Sequence, residues 1–213
     1  MSLNIHEGKI VALLGRNGAG KTSLMRTIAR TDDPQLKHGE VWLDHQPLHL
    51  MESFQAVRLG VGLVPEDRRI IADLTVKKNL TLSQIAPPMG WSIKRIYEHF
   101  PRLAVRRSQE AITLSGGEQQ MLAVARVLAR DMKLLLLGEP YEGLAPIIVQ
   151  EIERILEGVK ELGITTIIVE QNTIAALNLA DRAIILDMGE VVFDGTAQEV
   201  LDNADLRQEY LAI

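Results

Sequence analysis

The sequence predicts an α/β fold built on a mostly parallel sheet, and three observations support this prediction. A glycine-rich segment, 15–22, joins an apolar run at 10–14 to a helical stretch at 23–29. Two further short runs, 134–137 and 165–169, consist of apolar or β-branched residues, which is typical of strands buried on both faces. Strand and helix signals alternate along most of the chain, which favours parallel strands joined by crossover helices.

Length and composition limit the class of protein to which the chain can belong. It has 213 residues, 46% hydrophobic and 24% charged, which suits one globular domain. It contains no cysteine, so disulfides and cysteine-based metal or redox sites are excluded. The net charge of −5 argues against a nucleic-acid partner, and no apolar run reaches the ~18 residues of a membrane span. The first residues lack the basic and apolar regions of a signal peptide.

The segment 15–22 has the spacing of a phosphate-binding P-loop, namely Gly, four residues, then Gly-Lys-Thr. Its glycines allow backbone N–H groups to turn toward phosphate oxygens, and the following helix directs its positive N-terminal dipole at the same point. Lys21 is predicted to contact the β- and γ-phosphates, and the Thr22 hydroxyl to ligate Mg²⁺. A glycine-rich turn without a ligand is the alternative, which the agreement of both flanks disfavours. The predicted nucleotide-binding residues here are Gly15, Arg16, Asn17, Gly18, Ala19, Gly20, Lys21, Thr22 and Ser23.

Between residues 74 and 114 the strand signals disappear. The segments 76–85 and 92–100 have apolar residues at helical spacing, and a turn-forming segment at 86–90 separates them. We interpret this block as a small helical subdomain inserted in the α/β core. A short strand is also predicted at 2–5, where apolar residues alternate with polar ones. The predicted single domain, 1–213, has its α/β core at 1–73 and 115–213 and its helical subdomain at 74–114.

A short motif, Leu-Ser-Gly-Gly-Glu-Gln at 114–119, ends the helical block and opens a predicted helix that runs to about residue 130. The apolar strand at 134–137 comes next and ends in Gly-Glu-Pro at 138–140. In this order, after a P-loop, the two segments resemble the signature motif and the Walker B strand of ABC transporter ATPases. The resemblance covers essentially the whole chain and implies a P-loop NTPase core.

Within that family the chain resembles the ATP-binding subunits of high-affinity branched-chain amino acid importers, and urea and short-chain amide importers share much of the pattern. The segments that carry the resemblance are Val-Pro-Glu-Asp-Arg-Arg at 64–69, Phe-Pro-Arg-Leu at 100–103, Ser-Gly-Gly-Glu-Gln-Gln-Met-Leu at 115–122, Glu-Gly-Leu-Ala-Pro at 142–146 and Val-Glu-Gln-Asn at 169–172. It implies an ATP hydrolase that uses Mg²⁺ and pairs head to tail with a second ATPase subunit, identical or paralogous. It also implies permease subunits, an indirect link to a periplasmic solute-binding protein, and a peripheral position at the cytoplasmic face of the inner membrane.

The resemblance implies that the signature residues contact the nucleotide held by the P-loop of the partner subunit. The Ser115 hydroxyl would donate to the γ-phosphate, and the glycines would let the backbone approach it closely. The helix that follows would direct its N-terminus at the same anion. The alternative is a simple Ser-Gly-Gly helix cap. The predicted signature residues are Ser115, Gly116, Gly117 and Glu118.

Three polar residues near strand ends are implied to act around the γ-phosphate. Glu139 is the candidate general base, because it ends a buried strand, and its alternative is a solvated turn carboxylate. Glu66 stands where most of the family has glutamine and would contact Mg²⁺ or the attacking water, its alternative being a solvated loop charge. Gln171 stands where the family usually has histidine, and its amide can bond the γ-phosphate but cannot titrate near pH 7. The predicted catalytic residues are thus Glu139, Gln171 and Glu66, and the predicted metal ligands are Thr22 and Glu66.

Two departures from the family pattern bear on activity. Gly138 stands where the Walker B strand normally supplies an aspartate for Mg²⁺, so we expect ATP to bind but Mg²⁺ affinity and turnover to be lower. The chain also begins after the point where relatives have a further strand and an adenine-stacking aromatic loop, and both are predicted to be missing. A degenerate ATP-binding regulatory subunit is therefore an alternative. A non-transport ABC ATPase acting on DNA or ribosomes is a weaker one.

Overall fold

The computed structural model describes residues 1–84 and 90–212, and within them strands and helices alternate as predicted. The strands are β1 (Ile10–Leu14), β2 (Trp42–Leu43), β3 (Gln46–Pro47), β4 (Val61–Val64), β5 (Leu134–Gly138), β6 (Thr165–Val169), β7 (Arg182–Asp187) and β8 (Glu190–Thr196). The α-helices are α1 (Lys21–Ile28), α2 (Ser53–Arg58), α3 (Val76–Ser83), α4 (Ile93–His99), α5 (Pro101–Val105), α6 (Gly116–Leu128), α7 (Pro146–Glu161), α8 (Thr173–Leu179), α9 (Ala197–Asp202) and α10 (Ala204–Tyr210). Short 3₁₀ helices lie at Leu48–Leu50 and Ala111–Thr113.

The central sheet has six strands in the order β4-β5-β6-β1-β7-β8. Its first five strands are parallel, and β8 pairs antiparallel with β7 to close the sheet as a hairpin. The register places Val169 of β6 between Gly138 of β5 and Leu13 of β1. The carboxyl ends of β1, β4, β5 and β6 therefore lie along the same edge, which is where α/β sheets bind ligands. The predicted mostly parallel α/β fold is confirmed.

The strand β5 shows how the sheet is buried on both faces. Leu135 and Leu137 point into a core formed with α6 and α7, whereas Leu134 and Leu136 point into a second core that contains Met25 of α1. Neighbouring side chains of a strand point to opposite faces, so a run of four leucines fits only a sheet covered on both sides. This burial explains why the apolar runs in the sequence identified the central strands.

The region between residues 74 and 114 is helical where the structure describes it. Its helices α3, α4 and α5 bury Leu80, Ile96 and Leu103 in the same core as α6. A backbone bridge between Thr75 and Glu110 brings the two ends of the region together, as expected for an insertion. The limits 1–73, 74–114 and 115–213 stay a prediction. The predicted separator at 86–90 lies outside the described residues except for Gly90.

The predicted strand at 2–5 is wrong, because these residues form no ladder with the sheet. Leu3 and Ile5 are half-buried against the core that contains Met25, and the carbonyl oxygen of Asn4 accepts a hydrogen bond from the Arg182 side chain. The alternation therefore reflects the packing of every second side chain and not strand pairing. None of the helices within the described residues combines the length and apolar character that a membrane span needs.

Candidate functional site

The predicted P-loop connects β1 to α1 at the carboxyl edge of the sheet. Lys21 is buried, and its ammonium donates to the carbonyl oxygens of Gly15 at 2.7 Å and Arg16 at 3.0 Å. Burial lowers the pKa of Lys21, while the carboxylates of Glu139 and Glu66 act in the opposite direction. The chain thus directs its loop ammonium inward, toward the strand ends that carry both carboxylates.

The loop is seated against the β7–β8 turn, and Gly15 is the point of closest approach. A Cβ atom at Gly15 would lie 2.2 Å from the carbonyl oxygen of Leu186, so no larger residue fits without moving the backbone. The N–H of Gly189 donates to the carbonyl oxygen of Ala19 at 3.1 Å and fixes the other side of the turn. Of the remaining predicted loop residues, those with exposed side chains or backbone are Arg16, Asn17, Gly18 and Ser23.

The two predicted metal ligands are adjacent. Thr22 lies in the first turn of α1, and its hydroxyl donates to Oε1 of Glu66 at 3.1 Å across from the loop after β4. Both groups present hard oxygen atoms of the kind that Mg²⁺ prefers, so the residues present fit the ion. Within the described ranges, no three His, Asp or Glu side chains cluster to hold a metal by themselves. A Mg²⁺ ion here would take its other ligands from phosphate oxygens and water.

Glu139 and Gln171 form a direct pair. The Nε2 atom of Gln171 donates to both carboxylate oxygens of Glu139, at 3.0 Å and 2.9 Å. The N–H of Glu139 continues the β5–β6 ladder by donating to the carbonyl oxygen of Val169 at 2.8 Å. Glu139 itself has a φ of 47°, a left-handed conformation that non-glycine residues adopt at a cost of about 1–3 kcal/mol. The bond to β6 therefore holds the strained backbone of Glu139, and the Gln171 amide holds its carboxylate, at the edge of the sheet.

Gly138 ends β5 in a buried position without a carboxylate. A Cβ atom there would lie 3.3 Å from the backbone nitrogen of Glu66 and 3.3 Å from the terminal methyl of Met25. The methionine contact involves a flexible end that can turn aside, whereas the contact with Glu66 involves backbone. A small acidic side chain at this position therefore requires the Met25 methyl group and the backbone at Glu66 to move by a few tenths of an ångström.

The signature segment starts α6 with a capping box. Ser115 is the N-cap, and its N–H and hydroxyl both donate to Oε2 of Glu118 at 2.9 Å. The buried Glu118 also forms an ion pair with Arg106. Burial raises the pKa of Glu118, but the bonds from Ser115 and the Arg106 guanidinium outweigh this and lower it. Glu118 thus holds the start of the helix in place, whereas Ser115 and Gly116 are exposed and Gly117 is buried.

The structure brings together some of the predicted residues and not others. Thr22 contacts Glu66, and Glu139 contacts Gln171. No hydrogen bond in the described part of the chain joins the signature segment 115–118 to the P-loop. The signature segment 115–118 is thus connected to the P-loop helix only indirectly, through the loop after β4, among the described residues.

Sequence reasoning missed two side chains, Arg68 and Glu170, that connect loops at the carboxyl edge of the sheet to neighbouring segments. Arg68 donates to Oε1 of Gln120 at 3.2 Å and to Oε1 of Gln119 at 3.3 Å, and thereby ties the loop after β4 to the signature helix. Glu170 is buried at the end of β6 and accepts backbone hydrogen bonds from two loops. The available signal was the position of Glu170, since a carboxylate directly after a buried strand needs buried partners.

Comparisons with known proteins agree with this geometry. The sequence model of the ABC transporter family matches residues 1–142. The chain is 41% identical to the high-affinity branched-chain amino acid transport ATP-binding protein BraG of Pseudomonas aeruginosa, covering 99% of this chain and 91% of BraG. It is 34% identical to a probable branched-chain amino acid transport ATP-binding protein, LivF, of Archaeoglobus fulgidus, covering 94% of this chain and 86% of LivF.

Solved structures give the same result. A dimeric ATP-binding cassette in a post-hydrolysis state, bound to ADP and phosphate, superposes with a TM-score of 0.80 at 25% identity. The superposition covers 92% of this chain and 88% of that one. The family match spans more than half of the sequence, and the P-loop, the signature helix and the end of β5 follow one another in the expected order. The chain therefore belongs to the ABC transporter family and is a nucleotide-binding ABC ATPase.

Proposed function

We propose that this chain is the ATP-hydrolysing subunit of an ABC importer of branched-chain amino acids. The observation that carries the hydrolase proposal is the Glu139–Gln171 pair, which lies at the same edge of the sheet as the P-loop. The choice of solute is supported by the 41% identity to BraG over 99% of the chain. Branched-chain amino acids are therefore the first solutes to test.

In the proposed mechanism the P-loop holds ATP through its backbone N–H groups, and Lys21 exchanges its carbonyl partners for β- and γ-phosphate oxygens. Glu139 accepts a proton from the attacking water, whose oxygen bonds to the γ-phosphorus. The bond from that phosphorus to the bridging oxygen breaks, and ADP leaves with the electron pair. Gln171 keeps the Glu139 carboxylate oriented during this step through its paired hydrogen bonds.

Thr22 and Glu66 would hold Mg²⁺, which supplies charge neutralisation for the phosphate oxygens when bound. Glu66 supplies the carboxylate that accepts a hydrogen bond from Thr22, and Gly138, at the end of β5, has no carboxylate to add. Lower ligand charge weakens binding of a hard cation, so the proposed site takes up Mg²⁺ less tightly than one with two carboxylates.

The proposed working unit is a pair of ATPase subunits in which the exposed Ser115 of each faces the nucleotide of the other. The pair attaches to permease subunits at the cytoplasmic face of the membrane, and those subunits receive solute from a periplasmic binding protein. This arrangement is supported by the similarity to transport ATP-binding proteins and by the dimeric structural relative.

The test measures ATP binding and ATP hydrolysis in the presence of Mg²⁺ for the purified full chain and for its Glu139→Gln variant. We expect binding in both proteins and a loss of turnover of about 100-fold or more in the variant, since removal of a general base costs about 10²–10⁴-fold. Equal turnover in the two proteins would reject Glu139 as the base. In cells lacking their own branched-chain importer ATPases, the chain should restore leucine uptake and Glu139→Gln should not. Restored urea uptake without leucine uptake would instead assign the chain to the amide importers.

A further inference from the structure

The Glu170 carboxylate lies between two loops that the proposed reaction uses. The residue is 4% exposed and directly follows β6. One carboxylate oxygen accepts the N–H of Tyr141 at 2.7 Å, and the other accepts the N–H of Asn172 at 3.3 Å. Tyr141 belongs to the segment after β5, and Asn172 belongs to the segment after β6. A single buried side chain therefore joins the backbones of both segments.

These two segments carry the residues of the proposed chemistry. Glu139 lies two positions before Tyr141, and Gln171 lies directly before Asn172. Glu139 has a left-handed φ of 47°, which persists only where surrounding contacts enforce it. The side chain of Gln171 reaches Glu139 only if the two segments keep their spacing. The hydrogen bonds that the buried Glu170 accepts from Tyr141 and Asn172 fix this spacing.

We propose that Glu170 is a positioning residue for ATP hydrolysis, whose buried carboxylate fixes Glu139 and Gln171 relative to each other. The inference rests on the proposed function, because it assigns Glu139 as the base. Glu170 does not touch nucleotide in this scheme and acts only through the two backbone segments. Its contribution concerns the rate of the chemical step and not ATP affinity, since its hydrogen bonds in the described part of the chain go to the segments after β5 and β6 and not to the P-loop.

The ionised form of Glu170 is the one that positions both segments. A carboxylate is acceptor-only and serves N–H donors with two charged oxygens, whereas a protonated acid is neutral and accepts these hydrogen bonds more weakly. The titratable groups facing it are acidic: Glu139 from the end of β5 and the Tyr141 hydroxyl, which in turn faces Glu153 of α7. Lys21 faces Glu139 from α1. No cation is among the causes that shift Glu170, so its proton is governed by burial and by Glu139.

Burial chiefly, and the negative charge of Glu139 in addition, raise the pKa of Glu170 to about 7, although the backbone N–H groups act against this. Below this pH the group is mostly protonated, and its hydrogen bonds to the two backbone segments are weaker. Above it these hydrogen bonds are at full strength. The positioning role therefore predicts hydrolysis that rises with pH across the neutral range.

The test is the pH profile of kcat between about pH 6 and 8.5 for the full chain and for Glu170→Gln. We expect the wild-type kcat at pH 6 to be about tenfold below its plateau, with one inflection near pH 7. In Glu170→Gln the amide places a donor against one N–H at every pH, so kcat should be about 10- to 100-fold lower and flat. The ATP Kd should change less than twofold.

Two further variants keep the proposal falsifiable. Glu170→Asp retains an ionisable group, so its profile should still inflect even where its kcat is reduced. Thr166→Val is the matched control. Thr166 is buried on β6, the strand that leads to Glu170, and its hydroxyl has no hydrogen-bond partner among the described residues. Its kcat and profile should match wild type. A Glu170→Gln profile that keeps the inflection, or its kcat at wild-type level, would overturn the inference.

The same experiment separates this inference from the proposed function. If Glu139→Gln abolishes turnover while Glu170→Gln behaves as wild type, Glu139 is the base and the positioning role is wrong. If Glu139→Gln retains turnover, the proposed function itself is wrong, and the inference fails with it. Thermal unfolding of each variant identifies any loss of rate that comes from loss of folded protein.

Discussion

At the scale of single residues, the acidic groups around Thr22 are arranged differently from those that the family pattern implies. The end of β5 offers a glycine, and Glu66 reaches Thr22 from the loop after β4. Glu66 is exposed, whereas Gly138 is buried beside Met25. An exposed carboxylate is well hydrated and held less firmly, so it is the weaker substitute for a buried metal ligand.

This arrangement predicts that Gly138→Asp lowers the Mg²⁺ concentration that gives half-maximal ATP hydrolysis, by about tenfold. The reason is the added carboxylate at the end of β5, for which the Met25 methyl group and the backbone at Glu66 must move by a few tenths of an ångström. Titration of ATPase activity with Mg²⁺ measures the effect. Gly138→Asn is the matched control, because it has the same shape without the charge. If the two variants gave the same half-maximal concentration, a missing charge would not be the cause of weak Mg²⁺ use.

At this scale the sequence predicted residue identities better than their partners. The P-loop spacing and the Glu-Pro after a leucine run are local patterns, and the structure places Lys21 and Glu139 near the carboxyl edge of the sheet. The role of Glu170 could not be read in the same way, because its partner Tyr141 is 29 positions away and depends on β5 lying next to β6. The contact of Glu118 with nucleotide stays a prediction, and the structure adds bonds from Ser115 and Arg106 that the sequence did not indicate.

At the scale of elements, the loop after β4 connects the P-loop helix with the signature helix. Within three residues it directs Glu66 to Thr22 of α1 and Arg68 to Gln119 and Gln120 of α6. The guanidinium also lies 3.5 Å from the position of a Cβ atom on Gly116. A change at Thr22 and Glu66 therefore has a short, direct route to the exposed start of α6, which is the surface proposed to face a partner subunit.

The connection predicts that Arg68→Ala destabilises the chain by about 1–3 kcal/mol, because the buried Oε1 of Gln120 loses its donor. Urea unfolding measures the loss, and hydrolysis should fall in parallel because the loop is no longer fixed to α6. Arg69→Ala is the control. Arg69 has the same backbone region, with φ of 46° against 59°, but its side chain is exposed and pairs with the exposed neighbour Asp67. It should change stability by less than about 0.5 kcal/mol. Equal losses in the two variants would rule out the connection through Gln120.

Element prediction succeeded where a segment is buried on a regular pattern and failed where burial is irregular. The runs at 134–137 and 165–169 correspond to β5 and β6 within a residue or so, since strands covered on both faces are apolar throughout. The alternation at 2–5 had the same appearance as a half-buried strand, yet Leu3 and Ile5 pack without pairing. Alternation of apolar and polar residues indicates which side chains are buried, but it does not indicate whether the backbone pairs with a neighbouring strand.

At the scale of the whole molecule, the P-loop and the exposed signature segment share no hydrogen bond within the described residues. The P-loop edge carries Lys21, Glu66 and Glu139, whereas Ser115 and Gly116 are exposed at the start of α6. The hydroxyl of Ser115 donates to Glu118 of its own capping box. Within the described residues it makes no bond to the P-loop. The proposed hydrolysis therefore needs a second subunit to complete each site, and the affinity of that association is measurable.

The last prediction follows from this incompleteness. Glu139→Gln, which binds ATP without turning it over, should form dimers in the presence of ATP and stay monomeric with ADP, as judged by light scattering after size exclusion. Adding Ser115→Arg should weaken the dimer by more than about tenfold, because a long side chain then blocks the close approach of this surface to the nucleotide side of the partner. Adding Ser108→Arg instead should have no effect, since Ser108 is an equally exposed serine outside the signature segment. Dimers that survive Ser115→Arg unchanged would show that the subunits associate through another face, and the head-to-tail arrangement would then have to be abandoned.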